Sequence, residues 1–332
     1  MLSTPIERPT TASAAALAAT AGLRIAVILP CYNEEVAIGR TVADFRAALP
    51  TAQVYVFDNN SRDDSRAIAR AAGAIVRLES RQGKGHVVRR MFADVDADIY
   101  VMADADATYE AGAAPAMVAK LLDENLDMVV GRRRDQVDAA YRLGHRLANV
   151  LLTRCLAAMF GRQFTDILSG YRVFSKRFVK TFPSLSRGFE IETEISVHAL
   201  QLRMPVGEIE TRYAARPEGS TSKLSTYRDG LRIGWQMITL FRQERPVAFF
   251  GLIGTLLALL AIVLAIPLGI TYSQTGLVPR MPTAILCTGL MILAALAVTC
   301  GLILDTVTRG RLEMRRLAYL GWRLPPPTRP DA

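Results

Sequence analysis

The sequence predicts an α/β protein with a doubly wound, mostly parallel sheet, followed by a pair of membrane-spanning helices. Three observations predict it. Short apolar runs rich in strand formers alternate with amphipathic stretches of helical period, joined by short loops. Polar residues recur directly after those apolar runs. Two uncharged stretches near the C-terminus, Val247 to Tyr272 and Met281 to Leu304, can each cross a hydrocarbon core of about 30 Å as a helix.

The elements follow in order. Residues 1–22 predict a flexible tail, because Glu7 and Arg8 precede a weakly apolar stretch and no secretory signal pattern forms. Arg24 to Leu29 predicts a buried strand that Pro30-Cys31-Tyr32-Asn33-Glu34-Glu35 breaks. A helix then runs to about Ala48, with Val36, Ile38, Val42 and Phe45 inward. Gln53 to Phe57 predicts a second strand ending at Asp58. Asn59-Asn60-Ser61 is turn material, and Ser61 or Asp63 is placed to cap a helix over Ser65 to Ala72. Ala74 to Leu78 predicts a third strand. Gly83-Lys84-Gly85 opens a helix through Ala93. It is no phosphate-binding P-loop, which needs Ser or Thr after the lysine, so a tight turn is expected there. Ile99 to Met102 predicts a strand ending in Asp104-Ala105-Asp106. A helix over Ala114 to Leu122, a strand over Asp127 to Val130 and the arginines Arg132 to Arg134 follow.

Open α/β sheets gather their ligands outside the carboxyl ends of the strands. Asn33, Glu34, Asp58, Asp104, Asp106 and Arg132 to Arg134 are all expected at that edge. Two carboxylates two residues apart suit Mg²⁺ or Mn²⁺, above all where a diphosphate supplies further oxygens.

Beyond Gly131 the character changes. Tyr141 to Gly161 predicts an arginine-bearing amphipathic helix, and Phe164 to Arg177 a compact mixed segment. Glu190, Glu192 and Glu194 alternate in FEIETEI, either serving the site or facing solvent and pairing with arginines. Val206 to Tyr213 predicts an edge strand, and Arg216 to Lys223 a loop. Leu224, Tyr227, Leu231, Trp235, Ile238 and Phe241 recur at three- and four-residue steps among arginines, the pattern of a helix lying along a membrane surface. Ser273 to Arg280 would join the two spans as a hairpin. The arginines flanking it, Arg242, Arg245, Arg309, Arg311, Arg315 and Arg316, put both flanks in the cytoplasm by the positive-inside rule.

The composition narrows the classes further. In 332 residues the net charge is +9 and the hydrophobic fraction 51%. Lysine occurs only at positions 84, 120, 176, 180 and 223, so arginine carries the charge, which suits phosphates and anionic lipid surfaces. No nucleic-acid partner is expected, since no helix-turn-helix, zinc finger or aromatic RNA-binding strand occurs. Cys31, Cys155, Cys287 and Cys300 form no metal or disulfide spacing.

In this order the motifs PCYNEE at Pro30, Asp58, QGKG at Gln82, DAD at Asp104, VVGRR at Val129, LSGYRVFSKR at Leu168, FEIETE at Phe189 and RPEGSTSK at Arg216 resemble the inverting GT-A glycosyltransferases of the dolichol-phosphate mannose synthase type, family 2. The bacterial membrane-anchored polyprenyl-phosphate group is the nearest match. The resemblance spans roughly Arg24 to Phe241, and the C-terminal hairpin matches the anchored members. It implies a GT-A domain over residues 23–223, an interface helix over 224–246, a hairpin over 247–305 and a basic cytoplasmic segment over 306–332, in the bacterial inner membrane.

The resemblance also implies roles. Pro30, Tyr32, Glu34 and Asp58 would hold the nucleotide's base and ribose. Asp104 and Asp106 would face the diphosphate and the metal, with Asp106 the more direct ligand. Arg133 and Arg142 would approach phosphates, and Arg216, Ser222 and Lys223 would close over the site and hold the lipid phosphate. The partners implied are a nucleotide-sugar, with UDP favoured, undecaprenyl or another polyprenyl phosphate, and the bilayer. Anchored members often associate, so a homo-oligomer is compatible with the pattern. Two departures stand out. DNNS replaces the common Asp-Asp-Gly-Ser, and His145 stands where a serine is common, which makes Arg146 a rival of Arg142.

Three other classes are open to a chain with these residues. A processive polysaccharide synthase carries Q-x-x-R-W, and neither Trp235 nor Trp322 follows Gln-x-x-Arg. A nonprocessive transferase to another lipid would share this core. A dead transferase domain serving as a membrane scaffold is opposed by the intact aspartates.

Overall fold

A computed structural model describes residues 22–135, 165–186, 188, 190–214, 235 and 238–324. The elements are β1 (Ile25–Cys31), α1 (Ile38–Ala48), β2 (Gln53–Asp58), α2 (Ser65–Ala71), β3 (Ile75–Leu78), α3 (Lys84–Asp94), β4 (Ile99–Met102), α4 (Ala114–Asp123), β5 (Met128–Asp135), β6 (Arg172–Ser175), α5 (Lys176–Thr181), α6 (Ile191–Leu202), β7 (Val206–Tyr213), α7 (Pro246–Thr275) and α8 (Met281–Leu320).

The strands form one seven-stranded sheet in the order β3-β2-β1-β4-β6-β5-β7. Only β6 runs against its neighbours β4 and β5, and β7 lies parallel to β5 at the edge. The carboxyl ends of β1, β2, β4 and β5 therefore share one edge, as the polar residues after those strands predicted. The central strands are buried on both faces, which is why they read as unbroken apolar runs. Ile38, Val42 and Phe45 of α1 and Met117, Val118 and Leu121 of α4 pack with Val27, Leu29, Val101 and Val173 into one core.

Three details differ from the sequence expectation. β1 does not break at Pro30 but runs through Cys31, with Pro30 level with Phe57 and Cys31 level with Asp58. β4 ends opposite Ile28, and the Cys31 carbonyl accepts from Asn59 on the β2 side. The missing N–H of Pro30 thus faces the side where β4 has already ended, and no ladder bond is lost. Arg132 to Arg134 lie inside β5 rather than after it, extended by its pairing with β7. Val36, expected inward with Ile38, Val42 and Phe45, precedes α1 and is exposed. The FEIETE stretch, for which the sequence predicts no particular element, leads into α6.

The described residues divide into two units: those up to Ala214 together with those from Arg315, and those between them. In the second unit α7 and α8 run antiparallel. A β-carbon at Gly254 would lie 2.9 Å from the Ala294 carbonyl oxygen, and one at Gly301 3.3 Å from the Pro246 carbonyl oxygen, so small residues let the helices touch. Leu256, Leu259, Val263, Ile285, Leu293 and Ile303 stay exposed. Helices of 30 and 40 residues with such outer faces are long and apolar enough to cross a membrane.

In the first unit the final turns of α8 rest against the start of β5 and α5. The Tyr319 hydroxyl donates to Asp127 Oδ2 at 2.7 Å, and its ring stacks 4.2 Å from the Arg177 guanidinium. Arg177 in turn makes two bonds to Asp127, at 2.9 and 2.7 Å, and Ser175 Oγ donates a further one.

Candidate active site

The loops after β1, β2 and β3 form one hydrogen-bonded floor. Asn33 takes φ +52°, which aims its backbone N–H at Ser61 Oγ and its side-chain oxygen at the Arg62 N–H. The Glu34 N–H donates to Ser65 Oγ, and Glu35 exchanges bonds with Asp63 and Asp64. Asp63 also accepts from the Ser65 N–H at the start of α2, but the N-cap is Asp64, which makes no side-chain cap bond, rather than Ser61 or Asp63 as expected.

The DNNS departure has a physical reason here. Asn59 donates to the carbonyls of Glu79 and Arg81 and accepts from the Gly83 N–H, a pattern an aspartate cannot complete because it has no donor. Asn60 sits at φ +64°, where glycine is otherwise favoured, and its amide reaches the Ser80 carbonyl.

Asp58 closes β2 fully buried. One carboxylate oxygen accepts from the Ser61 N–H at 3.1 Å and lies 3.7 Å from Arg66, while the other has no hydrogen-bond partner among the described residues. A buried carboxylate oxygen left without a donor is costly unless a ligand supplies one.

Beside it, β4 delivers Asp104 and Asp106. Asp106 is buried and accepts from both the N–H and the hydroxyl of Thr108, across Ala107 at φ +57°. Such a backbone in a non-glycine residue is strain of the kind held at functional sites. Thr41 of α1 donates to the Ala105 carbonyl and pins the turn from below.

Asp104 is partly exposed and meets a lysine. Lys84 Nζ lies 2.5 Å from Asp104 Oδ1 and 2.5 Å from Glu192 Oε1. Burial by itself would pull this ammonium down. The charges of Asp104 and Glu192 more than reverse that and hold it above the usual lysine range.

The LSGYR stretch backs this edge. A β-carbon on Gly170 would fall 2.7 Å from Asp104 Oδ2. The Gly170 N–H donates to the Tyr109 hydroxyl, and Ser169 Oγ donates to the Gly131 carbonyl. Arg172 is fully buried and binds the carbonyls of Ile167, Ser169 and Glu192 together with Ser196, tying this stretch to the start of α6. Burial lowers its guanidinium to about 10, still protonated at neutral pH. Arg133 forms a two-bond pair with the nearly buried Asp166, both bonds at 2.8 Å, with Tyr213 5.5 Å below the guanidinium.

Of the residues singled out in the sequence, Pro30 and Asp58 lie in the last two positions of β1 and β2, and Tyr32, Glu34, Asp104 and Asp106 follow β1 and β4 on the same edge. Arg133 stands in β5, held by Asp166. Arg142, Arg146, His145, Arg216, Ser222 and Lys223 lie outside the described residues, as do the helix expected over Tyr141 to Gly161 and most of that over residues 224–246. The Ala214 N–H is bonded to the Thr108 carbonyl, so the end of the described part of this segment meets the turn that follows Asp106.

The sequence leaves a role for Glu192 open and places the turn at Lys84 near the donor, but it names neither Lys84 nor Gly170 as a side-chain or backbone part of the site. Each lies in a quoted motif. Glu192 pairs with that lysine rather than with an arginine.

A mostly parallel sheet with two aspartates at its carboxyl edge defines an α/β protein with a ligand site at that edge. The model of "Glycosyl transferase family 2" matches residues 26–182. Glycosyltransferase AglJ of Haloferax volcanii is 35% identical over 232 residues, which are 69% of this chain and 76% of that protein. The chain belongs to glycosyl transferase family 2 and is a glycosyltransferase. A dolichyl-phosphate hexose transferase of the same organism is 24% identical over 221 residues, 67% of this chain and 95% of that one. In fold the chain is similar to glucosyl-3-phosphoglycerate synthase of Mycobacterium tuberculosis, solved with Mn²⁺, UDP and glucosyl-3-phosphoglycerate. The TM-score is 0.57 at 24% identity, over 73% of this chain and 87% of that one. The fold is thus GT-A, as expected.

Proposed function

We propose that this protein is a membrane-anchored, inverting glycosyltransferase. It moves a sugar from a nucleoside diphosphate sugar, with UDP favoured over GDP-mannose, to a polyprenyl phosphate such as undecaprenyl phosphate. The reaction takes place on the cytoplasmic face of a bacterial inner membrane and feeds cell-envelope glycan assembly or modification. One observation carries the reading: a single chain joins the Asp104 and Asp106 edge to two apolar helices of 30 and 40 residues. An acceptor whose long lipid cannot leave the bilayer needs an enzyme held at its surface. The likeness to a dolichyl-phosphate hexose transferase supports a lipid-phosphate acceptor. The likeness to a synthase solved with Mn²⁺ and UDP supports the donor and the ion.

The unpartnered oxygen of Asp58 suits an N–H or O–H of the base or ribose, with Pro30, Tyr32 and Glu34 completing that subsite. Asp104 and Asp106 fit a hard divalent cation: both offer carboxylate oxygens, and the missing β-carbon at Gly170 leaves Asp104 Oδ2 uncovered. These two residues would hold Mg²⁺ or Mn²⁺, which when bound neutralises charge on the departing diphosphate.

The second pKa of a phosphate monoester is about 6, so the acceptor is an anion at neutral pH and needs no strong base. The work left to the chain is to bring two anions together. Arg142, Arg216, Ser222 and Lys223 orient the acceptor phosphate, Arg133 approaches a phosphate of donor or acceptor, and one in-line displacement inverts the anomeric carbon. In this reading residues 23–223 are the transferase, 224–246 lie at the interface, 247–305 anchor it, and 306–332 return to the cytoplasm.

The test is transfer of radiolabelled sugar from a panel of UDP- and GDP-sugars to undecaprenyl phosphate. It uses detergent-purified protein with Mn²⁺ or Mg²⁺ and an Asp106→Ala control. A lipid-linked product from one donor, absent in the control, supports the reading. Nucleotide binding without product turns it toward another lipid acceptor, and no nucleotide binding at all overturns it.

A further inference from the structure

We propose that Lys84 is a displaceable counter-cation. It pairs with both Asp104 and Glu192 while the donor site is empty, and yields Asp104 to a divalent cation only when a nucleoside diphosphate arrives. The proposal rests on the donor-site reading above and adds an order to it, in which metal loading is coupled to nucleotide binding.

Two carboxylates, Asp104 at the sheet edge and Glu192 from the first turn of α6, share one ammonium. Its contacts to Asp104 and Glu192 are both 2.5 Å, and the Lys84 and Glu192 side chains are only 11% and 7% exposed, against 30% for Asp104. Carboxylates gathered out of water need a cation, and removing it leaves them uncompensated. Lys84 supplies that charge from the first residue of α3, on Asp104, an oxygen source the ion would also need. A divalent ion arriving alone meets a ligand already paired, with a like charge beside it.

A nucleoside diphosphate changes the charge count. Its phosphate oxygens can take both the ion and the ammonium. The four-carbon stem lets Lys84 turn from Asp104 to the diphosphate while Glu192 keeps it at the site. Glu192 is therefore a positioning residue for Lys84 rather than a group that touches the sugar.

The experiment measures Mn²⁺ binding to the full-length protein in detergent by the loss of the free-ion electron paramagnetic resonance signal, with and without UDP or GDP. The proteins are wild type, Lys84→Met, Lys84→Gln, Glu192→Gln and Asp106→Ala. Without nucleotide, the Lys84 variants should bind Mn²⁺ about tenfold more tightly than wild type, a size usual for coupled sites. By linkage, the factor by which nucleotide tightens Mn²⁺ should shrink in them by the same amount. Glu192→Gln leaves the ammonium on Asp104 and should keep the wild-type affinity without nucleotide. Mn²⁺ alone should raise the melting temperature of the Lys84 variants and not that of wild type, a second readout for variants of lowered stability.

Equal nucleotide-free affinity in wild type and both Lys84 variants overturns the proposal. If nucleotide still tightens Mn²⁺ and Asp106→Ala abolishes it, the donor-site reading survives that outcome. Mn²⁺ binding that no nucleotide tightens in any protein and that Asp106→Ala does not change overturns both.

Discussion

Gly170 and Asp104 stand so close that a β-carbon on the glycine would fall 2.7 Å from the Asp104 carboxylate. The backbone of the LSGYR stretch forms the wall against which Asp104 is set, and the Gly170 N–H is held by Tyr109. Gly170→Ala should therefore turn Asp104 away rather than unfold the domain. Displacing a positioned group by around 1 Å costs roughly 10²-fold in rate, so kcat/KM should fall about 10- to 100-fold. Circular dichroism and melting should change little. Wild-type kinetics in the variant would disprove the role of this contact.

Asp58 has one carboxylate oxygen satisfied and one bare in a fully buried position. Asp58→Asn keeps the size and turns an acceptor into a donor. If the bare oxygen receives a donor from the nucleotide, the variant should raise the Kd for UDP about 10- to 100-fold, by the cost of unmatched buried groups. Calorimetric titration of the two proteins decides it, and an unchanged Kd would remove Asp58 from the nucleotide subsite.

Much of this architecture was legible in the chain because burial writes itself into sequence. The strands β1, β2 and β4 read as apolar runs, and the residues after them converged as the sheet topology requires. What local pattern cannot carry was missed. Lys84 and Glu192 meet across 108 positions, and nothing near either names the other. The α6 helix is buried on nearly all sides, so no 3.6-residue stripe appears and the alternating glutamates suggest the wrong period. The charges at Asp305, Arg309 and Arg311 end the apolar span but not the helix, which runs on to Leu320 with Arg309 paired to Asp305 four residues back. A proline at the end of an apolar run suggests a break, yet its missing N–H matters only where a neighbouring strand is there to receive it.

His198 makes stability depend on pH. It is buried among Phe178 and Phe182, with Nε2 on the Thr181 hydroxyl and no partner for Nδ1 among the described residues. Burial, helped by the charge of Arg315, lowers it to about 3. In the unfolded chain a histidine titrates near about 6.5. Above that pH both states are neutral and the group contributes nothing. Below it the unfolded chain takes up a proton that the folded chain refuses, so stability falls at up to about 1.4 kcal/mol per pH unit until about pH 3. His198→Phe, which keeps an aromatic ring in the cluster, should shrink the loss of stability between pH 7.5 and pH 5 by about 2 kcal/mol. Urea unfolding of both proteins at the two pH values measures the difference, and equal losses would contradict it.

Asp127 is fully buried and surrounded by donors alone: Ser175 Oγ, two N–H groups of Arg177 and the Tyr319 hydroxyl. An amide in its place would push an NH₂ against one of them and remove the partner of a largely buried guanidinium. Asp127→Asn should therefore cost about 3 kcal/mol, the scale of a broken buried ion pair. Tyr319→Phe keeps the ring against Arg177 and loses one hydrogen bond to a charged group, about 1.5 to 3 kcal/mol at most because Asp127 retains three other donors. Tyr319→Ala loses the stacking as well and should fall between Tyr319→Phe and Asp127→Asn or match the latter. The order of midpoints in chemical unfolding, wild type above Tyr319→Phe above Asp127→Asn, is the measurable consequence. If Tyr319→Phe unfolds together with Asp127→Asn, the hydroxyl rather than the Arg177 pair holds the carboxylate. If it unfolds with wild type, the end of α8 contributes through the ring alone.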